Sequence, residues 1–157
     1  MKIALLTIGK TVDTYLLEGL NVYEKRLQHY INYIRKELPD VKNAKSLSCE
    51  QLKIQEGKTL LRQLSDADEL ILLDENGVEY SSGKWADFLQ KKLLSSSKSL
   101  VFAVGGAFGF SDEVYQRAAG KVALSQMTFS HQMVRLIFTE QLYRAFTIIN
   151  GEPYHHK

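Results

Sequence analysis

Five short apolar runs, each followed by a stretch with helical periodicity, constrain this 157-residue chain more than any other feature. The runs are Lys2–Ile8, Ile31–Leu38, Glu69–Leu73, Ser99–Val104 and Val122–Leu124. Between them, Asp13–Tyr30 carries Tyr15, Leu16, Leu20, Tyr23 and Leu27 at helical spacing, with Asp13 placed as N-cap. Ser48–Ser65, Ser82–Leu94, the short Asp112–Ala118 and His131–Asn150 read as the other helices. Neighbouring parallel strands need crossover connections, usually helical. Strict alternation therefore predicts an α/β fold, a parallel sheet with helices on both faces, in a single domain over 1–157. Pro39 ends the second strand, Asp74-Glu75-Asn76-Gly77 predicts a reversal of the chain, and Ser95–Ser97 predicts a turn.

Composition narrows the function. Hydrophobic residues make up 45% and charged residues 24%, which suits a packed core rather than disorder. Cys49 is the only cysteine, so an intramolecular disulfide and a cysteine metal cluster are excluded, and a reducing cytoplasm is the expected compartment. Cys49 itself reads as a semi-buried helix thiol rather than a nucleophile. His29, His131, His155 and His156 have no ligand spacing, so no metal is expected. No apolar run approaches the ~20 residues of a membrane span, and the start of the chain is too short and strand-like for a signal peptide. Net charge is only +2 but segregated: nine Lys or Arg against five acids over Asn21–Arg62, then six acids and no base over Gln63–Tyr80. Such segregation permits a basic face for a polyanion, and solvated helix surfaces give similar counts.

Two loops carry the chemical signal. Val104–Phe110 reads V-G-G-A-F-G-F directly after a strand, and Leu124–His131 reads L-S-Q-M-T-F-S-H at a second strand-to-helix junction. Ligands of open α/β sheets sit beyond the carboxyl ends of strands, here Leu73-Asp74, Val104-Gly105-Gly106 and Leu124-Ser125. Glycines 105, 106 and 109 let backbone approach a ligand closely; a tight turn without ligand would use them equally well. A dinucleotide does not fit, because the spacing is G-G-x-x-G and the first strand lacks the fingerprint. Asp112 and Glu113 at the next helix start would repel phosphate, and no Lys-Ser/Thr pair follows the glycines. A neutral or partly cationic ligand suits the loop better. Ser125–Ser130 can bond a purine edge through main-chain groups, with Met127 and Phe129 either sandwiching its faces or lying in the core.

From Gln132 to Ile149, eleven of eighteen residues are apolar, so the last helix is expected to be buried almost all round, as a central helix or a subunit interface. Glu140 and Arg144 are spaced to pair, and Arg135 lies opposite Arg144, so that one can face a site and the other a partner. The tail Pro153-Tyr154-His155-His156-Lys157 offers an aromatic for stacking and an imidazole for proton transfer, unless it simply frays.

Together, E-L-I-L-L-D, V-G-G-A-F-G-F, A-L-S-Q-M-T-F-S-H-Q-M-V-R, E-Q-L-Y-R-A-F and P-Y-H resemble the RlmH family of SPOUT-class ribosomal RNA methyltransferases. The resemblance spans the chain, including its start K-I-A-L-L-T-I-G-K, and is most specific in the C-terminal part. It implies a SPOUT-type α/β fold with a deep C-terminal trefoil knot, a homodimer, and S-adenosylmethionine as methyl donor. It implies methylation of N3 of a pseudouridine in large-subunit (23S) ribosomal RNA, in assembled ribosomes. By matching positions it assigns cofactor binding to Leu73, Gly105, Gly106, Ser125, Gln126, Met127, Thr128, Phe129 and Ser130. Substrate binding and catalysis fall to Arg144, Tyr154 and His155, with His155 accepting the N3 proton, Tyr154 orienting the base, and Arg144 holding a developing oxyanion or a phosphate. Many relatives carry Arg or Lys directly after Pro-Tyr-His, where this chain has His156 before Lys157. A SPOUT enzyme for another RNA nucleotide and a non-catalytic ribosome- or RNA-binding dimer are the alternative readings.

Overall fold

In chain order the elements are β1 (Lys2–Ile8), α1 (Thr14–Leu27), β2 (Asn32–Leu38), α2 (Cys49–Leu61), β3 (Asp68–Glu79), α3 (Ser82–Ser95), β4 (Ser99–Val104), α4 (Asp112–Arg117), β5 (Gly120–Ala123) and α5 (Met133–Ile149). They come from a computed structural model that describes residues 1–95 and 99–156. All strand pairings are parallel, in the order β2-β1-β4-β3-β5.

Period-two side-chain alternation splits the core into two layers. Ile3, Leu5, Leu100, Phe102 and Ile71 pack on α1, α3 and α5. Ala4, Leu6, Val101, Ala103, Leu70 and Leu72 pack on the α2 and α4 side with Leu60 and Val114. Both faces of each central strand are thus covered, which is why the strands read as continuous apolar runs. Aromatic rings anchor the first layer, with Phe102 and Phe138 at 4.8 Å and Trp85 stacked on Phe88 at 5.5 Å.

Helix α5 lies in the middle of that layer, and no residue from Met133 to Ile149 is exposed. Its first turn is strapped to the sheet by Arg135, whose side chain is fully buried. Arg135 Nη2 donates to Ile8 O (2.9 Å), Nη1 to Gly9 O (2.9 Å) and Thr11 Oγ1 (3.0 Å), and Nε to His131 O (3.0 Å). Its charge meets Glu37 at 3.3 Å, and Glu37 also pairs with Arg35. Arg135 therefore faces neither a ligand nor a partner; it is spent on the interior.

The Asp74–Gly77 segment does not reverse the chain. Strand β3 runs on through it, and Leu73 and Val78 both pair with Val122 of β5, so the four residues are looped out as a bulge. The Asn76 amide donates to Asp74 Oδ1 at 2.8 Å and rounds the bulge. Gly77 passes so close to β5 that a Cβ there would lie 2.6 Å from the Lys121 carbonyl carbon. Asp, Asn and Gly suit a turn and a bulge alike; the β5 partner decides between them. Ser48 caps α2 in a reciprocal capping box with Gln51, whereas Asp13 occupies the N-cap of α1 without a side-chain bond. Cys49, in the first turn of α2, is exposed rather than semi-buried. Of the Ser95–Ser97 turn, residues 96 and 97 lie outside the described residues. Among the described residues no helix is long and apolar enough to cross a membrane.

Burial pushes the Glu37 carboxyl up, but bonds from the Thr11 hydroxyl and amide and the charges of Arg35 and Arg135 outweigh it and hold it below its ordinary value. The resulting stabilisation is complete above the unfolded pKa of about 4.3 and is lost as pH falls through the depressed folded value. Glu37→Gln is expected to cost about 2–4 kcal/mol at neutral pH, because it leaves a buried guanidinium unpaired. Denaturant titrations from pH 7 to pH 3 should show the gap to the parent chain closing at the acid end.

Candidate functional site

Beyond the carboxyl ends of β3, β4 and β5, three turns enclose a cavity of about 560 Å³. The bulge after Leu73 forms one wall, the glycine loop Val104–Phe110 a second, and the Leu124–His131 loop the third. Leu73, Gly105, Gly106, Ser125, Met127, Thr128, Phe129 and Ser130 all line it. Gln126 does not: the Met127 amide donates to Ser125 Oγ (3.0 Å), and within that tight turn Gln126 is left exposed. Met127 is 77% exposed and so is not a core residue, while Phe129 is half-buried.

The glycine loop is closed on itself, with the Gly109 amide donating to Gly106 O (3.1 Å) and Gly109 at φ +84°. Behind it stands Glu56 of α2, a buried side chain whose Oε1 has no hydrogen-bond partner. A Cβ on Gly106 would fall 2.5 and 2.6 Å from the two Glu56 carboxylate oxygens, so a side chain there would force the buried Glu56 carboxylate or the loop to shift; glycine is favoured by close approach rather than by φ. Burial, reinforced by Asp40, pushes the Glu56 carboxyl up.

Charge in the cavity has one sign. Asp74 and Glu75 line it, and among the described residues no Lys or Arg lines it with them. Tyr115 donates to Asp74, and Thr128 Oγ1 donates to Glu75 at 2.6 Å, tying the bulge to α4 and to the third loop. Burial and the bond to Asp74 push the Tyr115 phenol up to about 12, so it stays a donor. The sequence reading marked Asp74 only as a strand end where ligands sit, and Glu75, Tyr115 and Glu56 escaped it. The only signal was D-E-N-G, whose acidic members look like turn residues until β5 is placed.

Arg144, Tyr154 and His155 come together elsewhere. The Arg144 guanidinium lies over the Tyr154 ring at 4.8 Å, its Nη1 is 3.1 Å from His155 Nδ1, and its Nη2 donates to Glu140 at 2.6 Å. Tyr154 donates to Glu140 Oε1 at 3.0 Å and lies 3.4 Å from the Tyr23 hydroxyl. The bond to Glu140 keeps Arg144 protonated beyond its usual range; burial, with Tyr23 and Glu140, pushes the Tyr154 phenol up. Because guanidinium only donates, His155 Nδ1 accepts and the ring proton sits on Nε2. The tail is not frayed: Tyr30 donates to Glu152 at 2.7 Å, the Glu152 amide reaches Thr147 O at 2.8 Å, and Tyr154 and His155 are half-buried. Lys157 lies outside the described residues.

None of these tail groups lines the cavity. Val134 touches it, and Arg144 is ten residues further along α5, ~15 Å up the helix axis. Within one chain, the ligand cavity and the tail cluster are separate.

Gly106→Ala should cost about 1–3 kcal/mol and disorder the cavity wall, since its methyl collides with the Glu56 carboxylate. Adding Glu56→Ala should recover much of that loss in denaturant unfolding, a non-additivity that an unrelated pair would not show.

Comparison with known proteins agrees with this architecture. A family model described as "Predicted SPOUT methyltransferase" matches residues 1–155. The "Ribosomal RNA large subunit methyltransferase H" of Cytophaga hutchinsonii is 56% identical over 156 residues, 99% of this chain and 100% of that protein. Its namesake in Parabacteroides distasonis is 52% identical over 157 residues, covering both chains completely. A solved structure titled "The structure of a probable methylase family protein from Haemophilus influenzae Rd KW20" superposes with a TM-score of 0.52 at 11% identity, covering 95% of this chain and 66% of that one, and so shares the fold. With its five-stranded parallel sheet and a match over nearly its whole length, this chain belongs to the SPOUT methyltransferases, and among them to the RlmH family.

Proposed function

We propose that this protein transfers a methyl group from S-adenosylmethionine to N3 of a pseudouridine in large-subunit ribosomal RNA, in the cytoplasm and as a homodimer. The reading brings with it the C-terminal trefoil knot of the fold class. One observation carries it: a loop-built cavity lined by carboxylates and, among the described residues, by no Lys or Arg stands apart, in the same chain, from an Arg–Tyr–His cluster suited to an RNA base. In a two-fold dimer, one subunit's tail can complete its partner's cavity.

The donor fits the cavity on three counts. Its volume is in the ordinary range for a small-molecule site. Backbone groups at Gly105, Gly106, Ser125 and Met127–Ser130 are available to the adenine edge, with Met127 and Phe129 for its faces. Unneutralised carboxylates suit a ligand bearing a sulfonium and an ammonium. When bound, the donor supplies a methyl group already activated on sulfur, which leaves alignment and proton removal to the protein.

Tyr154 stacks against or orients the uracil-type ring, held by Tyr23 and Glu140. Arg144, fixed by Glu140, stabilises the anion that forms when N3 loses its proton. His155 accepts that proton through Nδ1 once Arg144 turns from it to the substrate. A net charge of +2 is small for recognising naked RNA, so the substrate is the preformed surface of the ribosome.

The decisive test is mass spectrometry of digested ribosomal RNA from cells with and without the protein. A methylated pseudouridine that disappears with the gene is expected; loss of a different methylated nucleotide would overturn the substrate assignment. Arg144→Ala should lower kcat about 10²-fold or more while donor Kd changes by less than about threefold. Mixed dimers of a tail-truncated chain and a Gly106→Ala chain should regain about one working site, and mixtures that stay dead while both parents fold and dimerise would refute the shared site.

A further inference from the structure

Resting on the methyl-donor reading, we infer that Asp74 and Glu75 select the charged donor over its neutral demethylated product, so that the cavity releases what it has used. Both carboxylates line the cavity, and both are held in place by neutral groups. Asp74 accepts from the Tyr115 hydroxyl and the Asn76 amide, and Glu75 from the Thr128 hydroxyl. Among the described residues neither forms an ion pair. Lys121 lies over the Tyr115 ring at 5.4 Å and does not line the cavity. A third carboxyl, Glu56, stands behind Gly106 with Oε1 unpartnered.

A carboxylate fixed by hydroxyl and amide donors keeps its position. The two carboxylates, with no ion-pair partner among the described residues, thus present negative potential to the cavity. Bulk screening acts over ~8 Å at physiological salt, and within a partly enclosed cavity the field is screened less. A cation gains from it, and a neutral ligand of the same shape does not.

Methyl transfer removes one positive charge from the ligand and little else. As the N–C bond forms, the C–S bond breaks and its electron pair returns to sulfur, turning a sulfonium into a thioether. The proton displaced from N3 goes to the protein or solvent. Adenosine and the amino-acid group are unchanged, so contacts to them cannot distinguish donor from product. Carboxylates close to sulfur can. Asp74, which is half-buried, contributes more than exposed Glu75.

The experiment is titration calorimetry of the full chain with S-adenosylmethionine, S-adenosylhomocysteine and sinefungin, which carries an ammonium where the donor has its methylsulfonium. Asp74→Asn and Glu75→Gln keep side-chain shape and remove charge. Asp74→Asn should weaken the donor and sinefungin about five- to tenfold and Glu75→Gln about twofold, with the homocysteine product shifted by less than about twofold. In the unmutated chain, raising salt should weaken the donor and spare the product, a readout that needs no variant. Equal weakening of all three ligands would overturn the inference, because it would place the carboxylates at the ammonium common to donor and product. A donor-to-product ratio unmoved by either variant and by salt would overturn it too. A chain that binds none of the three would refute the methyl-donor reading itself, and this inference with it.

Discussion

The site depends on one buried cation. Arg135 reaches from the first turn of α5 to the carbonyls of Ile8 and Gly9 at the end of β1, to Thr11, to Glu37 of β2, and back to the His131 carbonyl. Gln132 adds a second stitch, accepting from the Val12 amide at 2.9 Å and donating to Lys10 O at 3.0 Å. The Leu124–His131 loop runs directly into this strap, so the third wall of the cavity is fixed at one end by contacts to residues far earlier in the chain, at Ile8–Val12 and Glu37. Burying a guanidinium is costly unless every donor is satisfied and its charge is met. Here four carbonyl or hydroxyl acceptors and a carboxylate engage all three of its nitrogens.

Given that anchor, the cavity is shaped chiefly by main chain. Gly106 brings backbone against the Glu56 carboxylate, Gly77 brings the bulge against β5, and Ser125 turns the chain so that Met127 and Phe129 line the cavity. The polar side chains that line it act largely in pairs, Tyr115 with Asp74 and Thr128 with Glu75, which tie separate walls together. Loops built this way place carboxylates at defined positions, because each is tied to a hydroxyl on a separate wall.

The tail cluster is organised on different terms. It is aromatic and ionic, packed on α1 and α5 by Tyr23, Tyr143 and Tyr154, with Arg26 between Tyr23 and Tyr143 at 5.4 Å from each ring. Glu140 is its hub, accepting from Arg144 and from Tyr154. The i,i+4 spacing of Glu140 and Arg144 made half of that hub visible from sequence; the Tyr154 half required the chain to fold back after Gly151, whose φ of +67° permits the turn.

The sequence by itself determined the layers: period-two strands alternating with helical stripes left little choice but a parallel sheet covered on both faces. It also marked the three carboxyl-terminal turns, because glycines and short polar residues after an apolar run mean the same thing in most α/β chains. What only the tertiary structure decided were the pairings across distance. D-E-N-G became a bulge because β5 lies beside it, Arg135 turned inward because Glu37 and the β1 carbonyls were there to meet it, and Gly106 leaves no free room for a side chain because α2 carries Glu56 behind it. Local periodicity reports which face of an element is buried; it carries no information on which distant group fills that face. The separation of cavity and tail likewise follows from the length of a straight helix, and was set only once α5 was laid down between them.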